Sequence, residues 1–199
     1  MNKNEKIQYS FARKVIIKKR PSLKEQKIAF ETFQLFASKK YMHSTFYLGV
    51  CYDVGIGTKI NYQKAFAMFF TSAKMGHPES QYNVSQMFVK GVGIKRDISK
   101  GIYWLQQAAQ MGDVDAIRDL GYHYHEGIGV KKDCKKSVDL YKIAAKKNDP
   151  IAQWNLAASY NDGDGIKTSY RWANYWAKKA AKNGHKTARE FLKKWNVKN

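Results

Sequence analysis

Residues 80–113 read SQYNVSQMFVKGVGIKRDISKGIYWLQQAAQMGD, and residues 116–149 read AIRDLGYHYHEGIGVKKDCKKSVDLYKIAAKKND. Laid over each other with a step of 36, they align Gly91 with Gly127, Gly93 with Gly129 and Ala109 with Ala145. Working outward, the same glycine pair stands at Gly55 and Gly57 and again at Gly163 and Gly165, with no insertion in any copy. A fixed period of roughly 20–50 residues marks a repeat architecture, in which each unit buries its apolar face against the next.

Within each copy the columns resolve into two helices. Ser44, Ser80, Ala116, Ala152 and Ala188 are small; four residues on, Leu48, Val84, Leu120, Leu156 and Leu192 are aliphatic; four further, Tyr52, Phe88, Tyr124 and Tyr160 are aromatic. Apolar positions four apart line one face of a helix, here called helix A. After each Gly-x-Gly a second stripe, such as Ala173, Trp176, Ala177, Ala180 and Ala181, predicts helix B. The small columns Gly49, Ser85, Gly121, Ala157 and Ala73, Ala109, Ala145, Ala181 predict where the two helices cross closely. The first glycine of each pair is expected to end helix A with positive φ, and the second to allow a tight exposed connection. Gly76, Gly112, Asn148 and Gly184 end helix B in the same way.

Running the period to both ends gives the domain organisation. Residues 1–21 are expected to form a basic, flexible or weakly docked arm, and 22–43 the second half of a degenerate repeat. Four repeats follow at 44–79, 80–115, 116–151 and 152–187, and 186–199 form a capping helix. The fold class is all-α, a right-handed solenoid of antiparallel helix pairs.

Charge is the unusual feature of the composition. The chain carries 36 Lys plus Arg against 16 Asp plus Glu, a net charge of +20. Residues 1–30, 131–147 and 178–199 hold 19 of those charges, so the excess is clustered. Such a field favours acidic partners, although runs of lysine also occur as plain solvated surface. Two cysteines, Cys51 and Cys134, make neither a disulfide framework nor a zinc spacing. The first 21 residues break their apolar stretches with charge, so no secretory signal is expected there, and no apolar run reaches the ~18 residues needed to span a bilayer. A cytoplasmic protein is the expectation.

The residues quoted above, over 44–187, resemble the Sel1-like repeat family, relatives of the tetratricopeptide repeats. The departures are Ser85 and Ala157 for a usual Gly, and Lys167-Thr168-Ser169 ahead of the last helix B. The resemblance implies a curved array with helix A on the concave side, where ligands bind in relatives. It also implies an adaptor or scaffold rather than an enzyme; a translocated bacterial effector and a toxin-neutralising immunity protein both fit.

On that geometry the groove positions fall between the core columns. The candidates are Phe46, Tyr82, Arg118 and Trp154; Tyr47, Asn83, Asp119 and Asn155; and Gln86 and Tyr122 with Val50 and Ala158. They read as a polar and aromatic groove for a protein or peptide, with Asn side chains able to donate and accept. The competing reading is that these aromatics and amides pack between neighbouring A helices. Arg118, Asp119 and Tyr122 depart furthest from the repeat pattern and are the stronger candidates for partner choice. Lys131, Lys132, Lys135, Lys136, Lys193 and Lys194 form basic rims that favour an acidic partner, with nonspecific nucleic-acid binding as the alternative.

No catalytic set, cofactor or metal is expected. His123 and His125 are two apart on a helix and point to different faces, and Glu126 does not complete a ligand set with them. The Gly-x-Gly follows a helix rather than a strand and lacks the Gly-Lys-Ser/Thr ending of a phosphate loop.

Overall fold

The computed structural model describes residues 1–198, with side chains described through Lys193. Among these residues there are eleven helices and no strand. They are α1 (Lys3–Ile17), α2 (Leu23–Ser38), α3 (Met42–Val54), α4 (Tyr62–Lys74), α5 (Pro78–Lys90), α6 (Ile98–Gln110), α7 (Val114–Glu126), α8 (Cys134–Lys146), α9 (Pro150–Asp162), α10 (Tyr170–Lys182) and α11 (Lys186–Lys198). Odd numbers from α3 onward are A helices and even numbers from α4 are B helices. The chain forms two compact units, Met1–Trp104 and Leu105–Asn199, with α6 running through the division.

The crossing of A on B follows from residue size. A methyl group on Gly49 would stand 2.7 Å from the Phe69 ring, and one on Gly121 would stand 2.8 Å from the Tyr141 ring. Phe69 and Tyr141 are buried by that approach, each contributing about 2 kcal/mol through the apolar area removed from water. The core of the first unit joins Ala12, Ala29, Phe33, Leu48 and Cys51, then Ala65, Phe69, Val84 and Phe88. In the second unit Ile117, Val138, Tyr141, Ala145, Ala152 and Leu156 form the corresponding layer.

Helix A stops where the sequence places its first glycine. Gly55, Gly91, Gly127 and Gly163 all take left-handed φ between 73° and 81°. The chain then returns to start helix B, with the N–H of Asn61 donating to Tyr52 O and that of Asp133 to Tyr124 O, both at 2.8 Å. Asn61, Asp97 and Asp133 cap helix B by accepting the N–H three residues on. Ser169, in the copy whose approach departs from the pattern, starts α10 with no side-chain cap. Lys40 occupies the slot held elsewhere by Gly76, Gly112, Asn148 and Gly184, and it keeps positive φ, 60°, without glycine's freedom.

The second glycine does more than allow a tight connection, which is exposed at Gly129 and Gly165 and half-buried at Gly57 and Gly93. A Cβ on Gly57 would fall on the Gln26 carbonyl oxygen, one on Gly93 on that of Tyr62, and one on Gly165 on that of Cys134. Each of those carbonyls belongs to the first turn of the preceding B helix, or to the residue next to it. At these three glycines the Gly-x-Gly is therefore a backbone-to-backbone joint to the helix before it.

The N-terminal arm is corrected. Residues 3–17 form α1, capped by a reciprocal Asn2–Glu5 box, with Ala12 and Val15 buried. Lys39 Nζ bonds Glu5 at 2.6 Å and Arg13 Nε donates to Tyr47 Oη at 3.1 Å. The physical reason lies in the register: Ala12 and Ile16 stand one period before Leu48 and Tyr52, so α1 is a degenerate helix A for α2. Without the glycine pair its place in the repeat is hard to see.

Gly165 and Gly184 both have positive φ, but only Gly165 abuts backbone; nothing lies within 4 Å of a Cβ on Gly184. Gly184→Ala is expected to cost about 1–2 kcal/mol from φ alone, and Gly165→Ala about 3 kcal/mol or more because the neighbouring pair must also move. Urea denaturation followed by circular dichroism measures both. Equal shifts in the two variants would show that the joint does not set the packing.

Candidate functional site

The A helices carry the residues singled out for recognition, and the first column has a packing role. Phe46 stacks on the His77 ring with centroids 4.6 Å apart, Trp154 stacks on His185 at 5.5 Å, and Arg118 Nη1 donates to Asp149 at 3.2 Å. In each case the partner lies 31 residues on and is the residue that starts the next A helix. His77 Nδ1 accepts the Ser80 N–H, Asp149 that of Ala152, and His185 Nδ1 that of Ala188. The column therefore holds consecutive A helices together through their N-terminal caps. Tyr82 is half-buried in the same column.

Arg118 is the most constrained of these. Its guanidinium reaches Asp115, Asp119 and Asp149 with only 13% of the side chain exposed. Burial by itself would lower its pKa, but the carboxylates outweigh that and raise it. Asp119 is thus turned toward Arg118, at 2.8 Å. Tyr47 is taken up by the N-terminal helices, stacked on Phe33 at 5.0 Å. Asn155 is half-buried, near enough to Tyr141 to oppose the rise that burial gives its hydroxyl pKa.

What remains toward solvent is compact and polar. Asn83 and Gln86 line a cavity of about 200 Å³ with Asp53, Lys90, Phe69, Met87 and Val92. Burial raises the Asp53 carboxyl above its usual range. In the second unit Tyr122 is 49% exposed, Val50 and Ala158 being its half-buried counterparts. Glu126 and Asp162 are exposed on the same A helices. In this unit α7 and α9 carry net negative charge, while the lysines lie on α8, α10 and α11.

Lys131, Lys132, Lys135 and Lys193 are exposed, as expected of a rim, and the side chain of Lys194 lies outside the described residues. Lys136 is exposed but engaged: its ammonium sits 4.2 Å from the Tyr124 ring centre and donates to the hydroxyl at 2.7 Å. Lys64 lies over Tyr52 and Lys100 over Phe88 in the same way, an interaction worth about 0.5–1 kcal/mol. That Lys column, with its fixed 36-residue step, was legible in the sequence and is structural.

His123 Nδ1 bonds the Ile128 carbonyl at 2.9 Å, while His125 pairs with Glu126 at 2.8 Å, so the two rings serve separate partners. Cys51 is buried and its thiol is pushed up to about 12, which makes it unreactive. Two larger clefts, of about 520 and 500 Å³, lie at equivalent repeat positions, beside Gln34 and Met68 in one unit and Gln106 and Leu140 in the other. At the intervening position Phe70 and Trp104 occupy that space, with ring centroids 5.6 Å apart.

Comparison with known proteins agrees with the repeat. The family model Sel1 repeat matches residues 43–77, 78–113, 114–149 and 150–185. The solved Sel1 repeat protein from Oxalobacter formigenes is 30% identical, with a TM-score of 0.82 over 94% of this chain and 73% of that one. An immunity protein from Pseudomonas aeruginosa shares the fold at 18% identity, with a TM-score of 0.62 over 94% of this chain and 69% of its own. The curated rat protein DAP3-binding cell death enhancer 1 is 40% identical over 67 residues, which is 34% of this chain and spans only 13% of that protein.

Two outcomes follow from the cap column. Arg118→Leu leaves Asp119 and Asp149 facing each other without their cation and should cost about 2–3 kcal/mol in urea denaturation; a loss under about 0.5 kcal/mol would show the cluster to be idle. His77 Nε2 lies 2.9 Å from His43 Nδ1, and burial, opposed by Glu79 and aided by His43, holds the His77 pKa below its ordinary range. Burial lowers His185 likewise. The unfolded chain takes up these protons near pH ~6.5 and the folded chain only lower. Stability is therefore full above that pH and declines as pH falls below it. His77→Asn/His185→Asn keeps both caps and should flatten the fall in melting temperature between neutral and mildly acid pH; an unchanged slope would remove the histidines as its source.

Proposed function

The chain belongs to the Sel1 repeat family, and on that premise we propose that it is an adaptor that binds a protein partner across the exposed face of its A helices, its basic margins drawing in an acidic one. Sel1 repeats mediate protein–protein interaction, and the fold is typically a non-enzymatic scaffold. No helix among the described residues is long and apolar enough to cross a membrane.

The observation that carries this reading is the polar opening formed by Asn83, Gln86, Asp53 and Lys90, with Tyr122 standing exposed on the equivalent face of the second unit. Amides that donate and accept suit a partner's backbone, and a half-exposed tyrosine is a common anchor of binding energy. Arg118 and Trp154 support this face by aligning the A helices. The carboxylates Asp119, Glu126 and Asp162 place negative charge on α7 and α9, so the acidic groups of a partner pair with the lysines of α8 and its approach while its neutral groups meet that face. Lysines in that position raise the association rate more than the final affinity. Neutralising a toxin is one form such binding takes. A base-by-base reader of RNA needs the same side-chain pair in each repeat; here the pairs are Asn83 with Gln86, Asp119 with Tyr122 and Asn155 with Ala158.

Quantitative affinity capture should compare the wild type with Asn83→Ala/Tyr122→Ala and with the B-helix control Ile143→Ala. A specific partner is expected to fall at least about tenfold on the first variant alone. Identical recovery on all three would sink the A face as the binding surface. With that partner purified, Lys131→Glu/Lys132→Glu/Lys135→Glu should slow association about tenfold at low salt and little at high salt; an unchanged rate would remove the rim from the encounter.

A further inference from the structure

Helix α10 reverses the usual order of side chains. Its buried positions are Ala173, Ala177 and Ala180, each at 1% exposure or less, while Tyr170 is 61%, Trp172 46% and Tyr175 42% exposed. Trp172 and Tyr175 are in contact, and large exposed apolar side chains gathered in one patch are the informative exception on a protein surface. Every charge on the helix is positive, from Arg171, Lys178, Lys179 and Lys182, and all four are exposed. In the three preceding copies a lysine covers the aromatic residue that closes helix A; here Trp172 takes that slot and stacks on Tyr160 at 6.2 Å.

We propose that the outer face of α10 is a docking surface for an anionic phospholipid bilayer, with Trp172 and Tyr175 seated at the headgroup level and Arg171, Lys178 and Lys182 facing the lipid phosphates and carboxylates. Tryptophan and tyrosine favour that boundary because one part of each ring system is apolar and the other can hydrogen-bond to water or headgroups. Lysine stems lie along apolar surface while their ammonium groups stay at the charged layer. Ring geometry decides against single-stranded nucleic acid as the occupant. Base stacking requires open ring faces. Tyr160 stacks on Trp172, Tyr175 meets Trp172 edge-on at 5.4 Å, and Lys179 covers both Tyr175 and Trp176, at 5.1 and 5.3 Å. With ring faces engaged in this way, the cluster suits insertion between headgroups better than stacking of bases. This inference rests on α10 alone and stands apart from the A-face reading.

The test is co-sedimentation of the full chain with vesicles of phosphatidylcholine alone and of phosphatidylcholine with about 30% phosphatidylserine. Two variants are compared, Trp172→Ala/Tyr175→Ala and Lys178→Gln/Lys182→Gln; the second alters only exposed positions and protects the test should the first unfold. The wild type is expected on the anionic vesicles only, with binding weakened by salt. Each basic residue at such a surface is worth roughly fivefold in partitioning, so the lysine variant should lose about 25-fold and the aromatic variant at least about fivefold. Equal partition onto both vesicles, no partition, or folded variants that bind like the wild type would overturn the proposal. So would a short single-stranded RNA that binds through these residues and displaces the chain from the vesicles.

Discussion

The close approach of one backbone to another at Gly57, Gly93 and Gly165 sets the spacing of the helix pairs within each compact unit. Gly57, Gly93 and Gly165 rest against carbonyl oxygens at the start of the preceding B helix, where any side chain would fall on the main chain itself. A side chain in the way can rotate aside, whereas a carbonyl in a helical first turn can move only with its helix. Contact at that point therefore fixes how closely these three A–B pairs approach the helix before them.

A second set of contacts works on the other side of the same joint. Phe46 with His77, Arg118 with Asp149 and Trp154 with His185 use three different chemistries for one task, bracing a helix A against the cap of the next. The position is free to vary because each solution satisfies the same need: a flat or forked group held over the first turn of a helix. The same freedom carries a cost where histidine serves as the cap, since its acceptor nitrogen exists only while the ring is unprotonated.

With these positions spent on packing, recognition falls to fewer residues than the face nominally offers. Asn83 and Gln86 line an open polar cavity, and Tyr122 projects from the second unit. The charge of +20 does not lie on this face; it is carried by the B helices and the ends, where α10 combines it with exposed aromatic rings.

Repetition made the fold legible. Glycines, alanines and aromatics returning every 36 residues state which side chains face inward, because that burial is local to a helix pair and is renewed in each copy. The helix crossings at Gly49 and Gly121, the left-handed caps and the lysines over Tyr52, Phe88 and Tyr124 all follow from that period. The α1 helix escaped because its copy lacks the glycine pair, although Ala12 keeps the register. By itself, then, the sequence determined the helix pairs, their core faces and the overall balance of charge. Only the tertiary structure decided that Arg118 is clamped by three carboxylates, that the second glycine is a joint between pairs, and that the aromatics of α10 lie outside its alanines. The Arg118–Asp149 pair and the glycine joints join residues about 30 apart in the chain, a pairing that the pattern within one helix does not show.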